Sequence, residues 1–226
     1  MHHTHMQLPM IHDKQELAAL IGEIGFLPFF PNRITGFSVA ECTPSGLWFV
    51  DGVDGPWEWK GPVIRSLHCA YGKFFQGKAG YVSKEWFPLL SKWRTHGYSF
   101  EERYRSGLVG HEEKVVYDVL SEQQSLLSKE LRFESGMYEG RRSVFEAVMT
   151  RLAHSCDVVT EDFEYECSKE GKRYGWGVAR YTTAESFFGD GLSEAQAPEA
   201  CRLLISRQVH ALFPEASDHA VNALIG

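Results

Sequence analysis

The chain lacks the features that would take it out of water. No stretch of roughly eighteen or more apolar residues occurs, so no segment reads as a membrane-spanning helix. The N-terminus lacks the basic-then-apolar order of a secretory leader. The expected location is therefore cytoplasmic, with no membrane partner. Cysteine is scarce and scattered: Cys42, Cys69, Cys156, Cys167 and Cys201 are odd in number and contain no Cys-x-x-Cys pair. Zinc and dithiol chemistry thus have no motif, and the thiols are expected to be reduced, mostly in the core. Neither a His-Glu-x-x-His nor a Gly-x-Ser-x-Gly sequence appears, so no hydrolytic signature exists. Gly72, Gly77 and Gly80 lack the flanking strand of a Walker or dinucleotide loop. No cofactor is expected.

Positive charge is also in short supply, the formal net charge being -7. A protein that coats nucleic acid by bulk charge needs concentrated Lys and Arg, so any nucleic-acid footprint here must be local. The distribution is uneven. Residues 56 to 106 hold nine basic side chains against four acidic ones, and the acidity lies at both ends and in 157 to 170. Residues 1 to 12 contain His2, His3, His5 and His12; they read as a disordered or tag-like terminus, and no metal is expected.

What the chain does have is apolar and aromatic content, 43% and 13% of its 226 residues, enough for one large domain or two small ones with real cores. Asp13 opens an amphipathic helix with Leu17, Leu20, Ile21 and Ile24 on one side, ending near Gly25. Residues 26 to 62 are rich in proline and glycine, with one strand-like run, Leu47-Trp48-Phe49-Val50. Helical patterning returns from Val63 to about Tyr71. Ser83 is expected to cap a helix carrying Trp86, Leu89, Leu90 and Trp93, which Gly97 stops.

Residues 111 to 189 give the clearest organisation. His111 to Gln124 is a helix with Val115, Val116, Val119 and Leu120 on one face; Ser128 is expected to cap a short second helix. After a turn at Gly136 to Gly140, Arg141 to His154 puts Val144, Phe145, Val148, Met149 and Leu152 on one stripe. Two alternating strands follow, Val158 to Cys167 and Lys172 to Thr182, joined by a turn at 168 to 171. Three helices followed by a hairpin is the winged-helix order. The tail from Ser193 to Ile225 reads as one helix and a shorter one after Pro214, packing on the body or forming a homodimer interface.

In helix-turn-helix proteins the helix after the turn enters the major groove, and the wing touches the backbone. Arg141, Arg142 and Arg151 on that helix, with Lys169, Lys172 and Arg173 at the wing, are the expected DNA-binding residues; an ordinary solvated face is the alternative. The acidic run Glu161, Asp162, Glu164 and Glu166 opposes DNA contact, because carboxylates repel phosphates. A second constellation interleaves aromatics with lysines: Gly55-Pro56-Trp57-Glu58-Trp59-Lys60-Gly61, Tyr71-Gly72-Lys73-Phe74-Phe75 and Lys78-Ala79-Gly80-Tyr81. Rings take a base face while lysines take phosphate, so Trp57, Trp59, Lys60, Lys73 and Lys78 are candidates for a nucleotide pocket. Core packing with snorkelling lysines is the competing reading. Glu58, the one carboxylate in the aromatic run, is the candidate acid or base, or else a salt-bridge partner.

These runs, together with Ile24-Gly25-Phe26-Leu27-Pro28-Phe29-Phe30 and Tyr174-Gly175-Trp176, make residues 14 to 189 resemble the AlkZ/YcaQ family of winged-helix DNA glycosylases. The likeness is closer to the short AlkZ-related proteins. It implies tandem winged helices around a DNA-binding cleft and puts a glutamine-containing catalytic motif just after Gly25. This sequence has Leu27-Pro28-Phe29-Phe30 there, and neither Pro28 nor Phe30 can position water or stabilise a sugar cation by hydrogen bonding. Fold and nucleic-acid preference are expected to carry over; the catalysis is not.

The resulting expectation is an α+β, mostly helical protein. A winged-helix-like half spans 13 to 106, a winged-helix domain 107 to 189, and a helical tail 190 to 226. Non-enzymatic DNA binding leads. A divergent base-excision or base-binding repair protein, and a winged-helix protein-interaction module without DNA affinity, are the alternatives.

Overall fold

A computed structural model describes residues 8–50, 52–138, 140–167 and 173–226. The first helix, α1 (Lys14–Ile24), starts where Asp13 accepts hydrogen bonds from the backbone N–H groups of Gln15 and Glu16, each at 2.8 Å. Two of the orphan donors of the first turn are satisfied in this way. Leu17, Leu20, Ile21 and Ile24 are buried on one side, each contributing about 1.5–3 kcal/mol if fully withdrawn from water. Gly25 ends the helix at φ 93° and leads into β1 (Phe26–Pro28).

The next helix differs from expectation. α2 (Pro56–Leu67) begins at Pro56 rather than Val63. Proline at the first helical position loses nothing, because that N–H has no intrahelical partner, and the Glu58 carboxylate accepts from the Gly55 N–H at 3.0 Å. Residues that read as loop are the chemistry of a helix start. The helix also stops early, at His68 in the left-handed region. β2 (Ala70–Phe75) and β3 (Lys78–Val82) then form a hairpin. Its turn is Gln76-Gly77, at φ 54° and 73°, the left-handed pair that matches strand twist in a two-residue loop. The run Leu47 to Val50 forms no strand; Ser45–Leu47 is a single 3-10 turn. α3 (Phe87–Arg94) begins one turn beyond Ser83, whose carbonyl accepts from Trp86 and Phe87. α4 (Phe100–Arg105) follows, capped reciprocally by Ser99 and Glu102.

The second half runs α5 (His111–Gln123), β4 (Ser125–Leu127), α6 (Ser128–Glu134), α7 (Arg142–His154), β5 (Val158–Cys167) and β6 (Arg173–Thr183). Residues 168 to 171, the expected wing turn, lie outside the described residues. The cap of α6 is Leu127, not Ser128, its N–H donating to the Glu130 carboxylate at 2.8 Å. After α8 (Ala184–Phe188) come α9 (Pro198–Leu212) and α10 (Asp218–Ile225).

All six strands form one antiparallel sheet in the order β1-β3-β2-β5-β6-β4. The order is mirrored about its centre. In each half the first short strand pairs with the last one, β1 on β3 and β4 on β6, and the last two strands make a hairpin. The halves meet where β2 lies beside β5, with Tyr71 opposite Thr160. One apolar core gathers α1 to α3, β1 to β3 and the C-terminal helices; a second gathers α5, α6 and α7 around Val116, Leu120, Leu131, Phe145 and Val148.

Of the two fates expected for the tail, packing on the body is observed. Cys201, Ile205, Val209 and Leu212 of α9 and Val221, Leu224 and Ile225 of α10 are buried in the first core. Of the apolar residues read on α9, Val209 and Leu212 are occupied within the chain, Leu204 is half-buried and Leu203 is 47% exposed. Cys42, Cys69, Cys156 and Cys201 are buried free thiols, and burial pushes Cys42 and Cys156 up to about 11. Among the described residues no helix is long and apolar enough to cross a membrane.

Candidate nucleic-acid interface and aromatic pocket

α7 buries Phe145, Val148, Met149 and Leu152 and turns its basic side chains outward. Arg141 occupies its N-cap, with Nη2 3.4 Å from Glu112 Oε1. Arg142 is exposed at the first helical position and has no ion pair among the described residues. Arg151 pairs with Glu113 of α5. At the turn before α7, Phe133 and Tyr138 are 64% and 53% exposed with ring centroids 5.7 Å apart. Sequence reasoning passed over this pair, because only the fold shows that neither ring has a core to enter. Lys169 and Lys172 lie outside the described residues; Arg173 opens β6 with its backbone opposite Cys167.

Two of the four carboxylates of the acidic run on β5 are ion-paired in place, and a third accepts a hydrogen bond. Asp162 pairs with Arg65 of α2, Glu164 with Arg180 of β6 at 2.6 Å, and Glu161 accepts from the Ser125 hydroxyl. Its repulsion toward phosphate is correspondingly reduced, since each of these charges has a local counterpart or donor.

The aromatic-lysine runs do not share one surface. Trp59 is 2% exposed, with its indole N–H donating to the Asp54 carbonyl at 2.9 Å; it is a core residue outside the lining of the cavity formed by its neighbours Trp57 and Lys60. Glu58 accepts from the Gly55 N–H as a cap at the start of α2 and stands outside the lining of the aromatic cavity. Lys78 reaches the Pro31 carbonyl at 2.9 Å on the exposed side of β3. The stretch Gly72 to Lys78 spans a hairpin, so no phosphate loop forms.

Trp57, Lys60 and Lys73, however, come together. They line a cavity of about 220 Å³ between α2, β2, β5, β6 and α7, with Tyr71, Phe163 and Tyr181 supplying further aromatic walls. The Tyr71 and Phe163 rings are 5.6 Å apart in an edge-to-face contact. Phe29, from the stretch where the resemblance puts the glutamine motif, backs this wall, its ring 6.0 Å from Trp57 and 6.1 Å from Tyr71. Lys73 closes one side through Thr150 Oγ1 at 3.0 Å and Glu146 at 3.5 Å, both on α7. Lys60 is 3% exposed, with Nζ 3.6 Å from the Trp57 ring centroid and 4.1 Å from that of Phe163. Burial pushes its amine down to about 8, against a smaller opposing effect of the Glu58 charge. Burial likewise raises Tyr181, to about 12. Tyr181 was not singled out from sequence; its one signal is its place in an alternating strand.

Two other concavities are less suited to a ligand. One of about 340 Å³ surrounds the buried Arg103–Asp157 pair, and one of about 490 Å³ is bordered by the paired Arg65, Asp162 and Arg180. In each, the central charges are already ion-paired: Arg103 with Asp157 in the first, Arg65 with Asp162 and Arg180 with Glu164 at the second.

No curated protein matches the chain. Among solved structures, Streptomyces sahachiroi DNA glycosylase AlkZ is similar at 14% identity with a TM-score of 0.49, the match covering 92% of this chain and 53% of that one. The chain spans about half the length of that protein. A family model described as AlkZ related matches residues 11–226. The chain belongs to the AlkZ-related family.

Proposed function

We propose that this is a winged-helix DNA-binding protein that works without the glutamine chemistry of the AlkZ/YcaQ glycosylases. The observation that carries the reading is the arrangement of the second half. Helix, short strand, helix, helix and hairpin follow in order, the short strand pairs with the last one, and the third helix exposes Arg141 and Arg142 at its start. A recognition helix needs that presentation, with its N-terminal residues free to reach base edges or phosphates. The mirrored strand order of the first half supports a tandem pair, 13 to 106 and 107 to 189, with 190 to 226 as a tail. Exposed Phe133 and Tyr138 add stacking surface beside the arginines. At the family's motif position Leu27 and Phe29 are fully buried and Pro28 lies within β1, which supports the absence of that catalysis.

A base-binding or divergent repair role is favoured by one observation, the aromatic cavity holding Trp57, Lys60 and Lys73. An extrahelical base or sugar is the size of ligand such a cavity takes. A protein-interaction module is the reading that remains if DNA does not bind.

The test is fluorescence anisotropy of labelled single-stranded, double-stranded, abasic and alkylated DNA across a salt series. Binding should weaken steeply with salt, and Arg141→Ala/Arg142→Ala and Lys172→Ala/Arg173→Ala should each lower affinity by about tenfold and flatten the salt slope by about 1–2. Preference for damaged DNA would favour the base-binding role. No binding to any of the four at low salt would overturn both nucleic-acid readings.

A further inference from the structure

The buried amine of Lys60 has a chemistry beyond lining a pocket. An ammonium 3% exposed is costly unless it is paired, yet among the described residues Lys60 makes no ion pair and no hydrogen bond. Its contacts are the faces of Trp57 and Phe163, which offset only part of the desolvation. A leucine or methionine would fill the same space without that cost. Glu58, the carboxylate nearest in sequence, is turned to the Gly55 N–H. The ionisable groups around the cavity are Tyr71 and Lys73 from β2 and Tyr181 from β6; β5 and α7 contribute none to its lining.

We propose that Lys60 is a nucleophilic amine that forms a Schiff base with the aldehyde of a ring-opened deoxypentose entering this cavity. The Nζ lone pair attacks the carbonyl carbon, and the carbonyl oxygen takes up a proton released by nitrogen to give a carbinolamine. Loss of that hydroxyl as water leaves the C=N bond; no oxidant or reductant is consumed. The cavity, about 220 Å³, is below the usual range of about 300–1,000 Å³ for drug-sized ligands and suits a five-carbon sugar. With its amine pushed down to about 8, roughly a quarter of Lys60 is neutral at pH 7.5, against about one part in a thousand of an ordinary lysine. The aldehyde can come from an abasic site in DNA or from a free sugar phosphate, and the first source rests on the DNA-binding reading.

The full chain is incubated at pH 7.5 with an oligonucleotide carrying one natural abasic site, with the intact oligonucleotide, or with free 2-deoxyribose 5-phosphate. Cyanoborohydride reduces any imine to a stable secondary amine, and peptide mass spectrometry locates it. Lys60 should be modified about tenfold or more ahead of the exposed Lys78 and Lys84 in the same digest, with a rate that levels off above about pH 8. Lys60→Arg, checked for fold by circular dichroism, should abolish the adduct. If that variant does not fold, the wild-type peptide map still decides. Trapping by both aldehydes, with only the oligonucleotide adduct lost in Arg141→Ala/Arg142→Ala, supports the site and its DNA source. Trapping by the free sugar alone supports the amine site and overturns DNA as its source. Modification spread evenly over the lysines, or a Lys60 peptide left unmodified while abasic DNA binds, overturns the proposal and leaves DNA binding intact.

Discussion

At Lys60 a cation sits between two rings with no ion pair among the described residues, and its effect on stability can be given a sign. The amine has a pKa of about 8 in the folded chain and about 10.5 as its ordinary value. Below pH 8 it is protonated in both states and the full burial cost is present. Between about pH 8 and 10.5 the native state binds fewer protons than the unfolded one, so stability rises with pH across that window, by up to about 3 kcal/mol. Lys60→Met should therefore be more stable than wild type at pH 7 by about 1–3 kcal/mol, with the gap closing toward pH 10.5. Urea unfolding of both proteins at several pH values measures this, and a gap that ignores pH would show that Lys60 titrates as a free lysine. The sequence identified Lys60 as a candidate but not its isolation, because isolation depends on Phe163, about a hundred residues away along the chain. Arg94 shows the opposite outcome. Counted from sequence among the basic side chains of 56 to 106, it bonds the backbone carbonyls of Phe74, His154 and Ile225 at 2.6, 2.8 and 3.0 Å. It is a structural clamp whose guanidinium is engaged by three backbone carbonyls.

Among elements, long amphipathic helices were legible and short or punctuated pieces were not. α1, α5, α7 and α9 carry several turns of periodic apolar residues, and their spacing alone identifies the buried side. β4 has three residues, too few for an alternation to register. β2 and β3 were hidden because Gly72 and Gly80 interrupt their side-chain pattern. α2 was mistaken in its start because proline and glycine mark both loops and helix N-termini, and only the Glu58 contact to Gly55 separates the two. The passage from α1 into β1 depends on Gly25, at φ 93°, where an added Cβ would lie 2.4 Å from the Trp86 indole. Gly25→Ala combines a left-handed backbone penalty with overpacking against that ring. It should cost about 2–4 kcal/mol in chemical denaturation; a cost under about 1 kcal/mol would mean that Trp86 moves aside freely.

For the whole molecule, the two cores are tied by a sparse backbone pairing at Tyr71 and Thr160, by Lys73 reaching α7, and by Arg94 bridging α3, β2, the end of α7 and the C-terminus. Those ties should make unfolding a single event. Five of the six tryptophans precede residue 100, so tryptophan fluorescence reports the first half while far-ultraviolet circular dichroism reports both. The two transitions should coincide in wild type and separate in Arg94→Met; separation already in wild type would make the halves independent units. By itself the sequence determined the helical periodicity, the mixed α and β character, the resemblance to the AlkZ/YcaQ family and the exposure of the α7 arginines. These are local properties, fixed by spacing along the chain. Only the tertiary structure decided that β2 and β5 join two mirrored half-sheets, that the tail packs on its own body, and that Trp57, Lys60 and Lys73 meet Phe163 and Tyr181 around one cavity while Glu58 and Trp59 do not. Those outcomes turn on which faces meet across long stretches of chain, and side-chain periodicity fixes a face without fixing its partner.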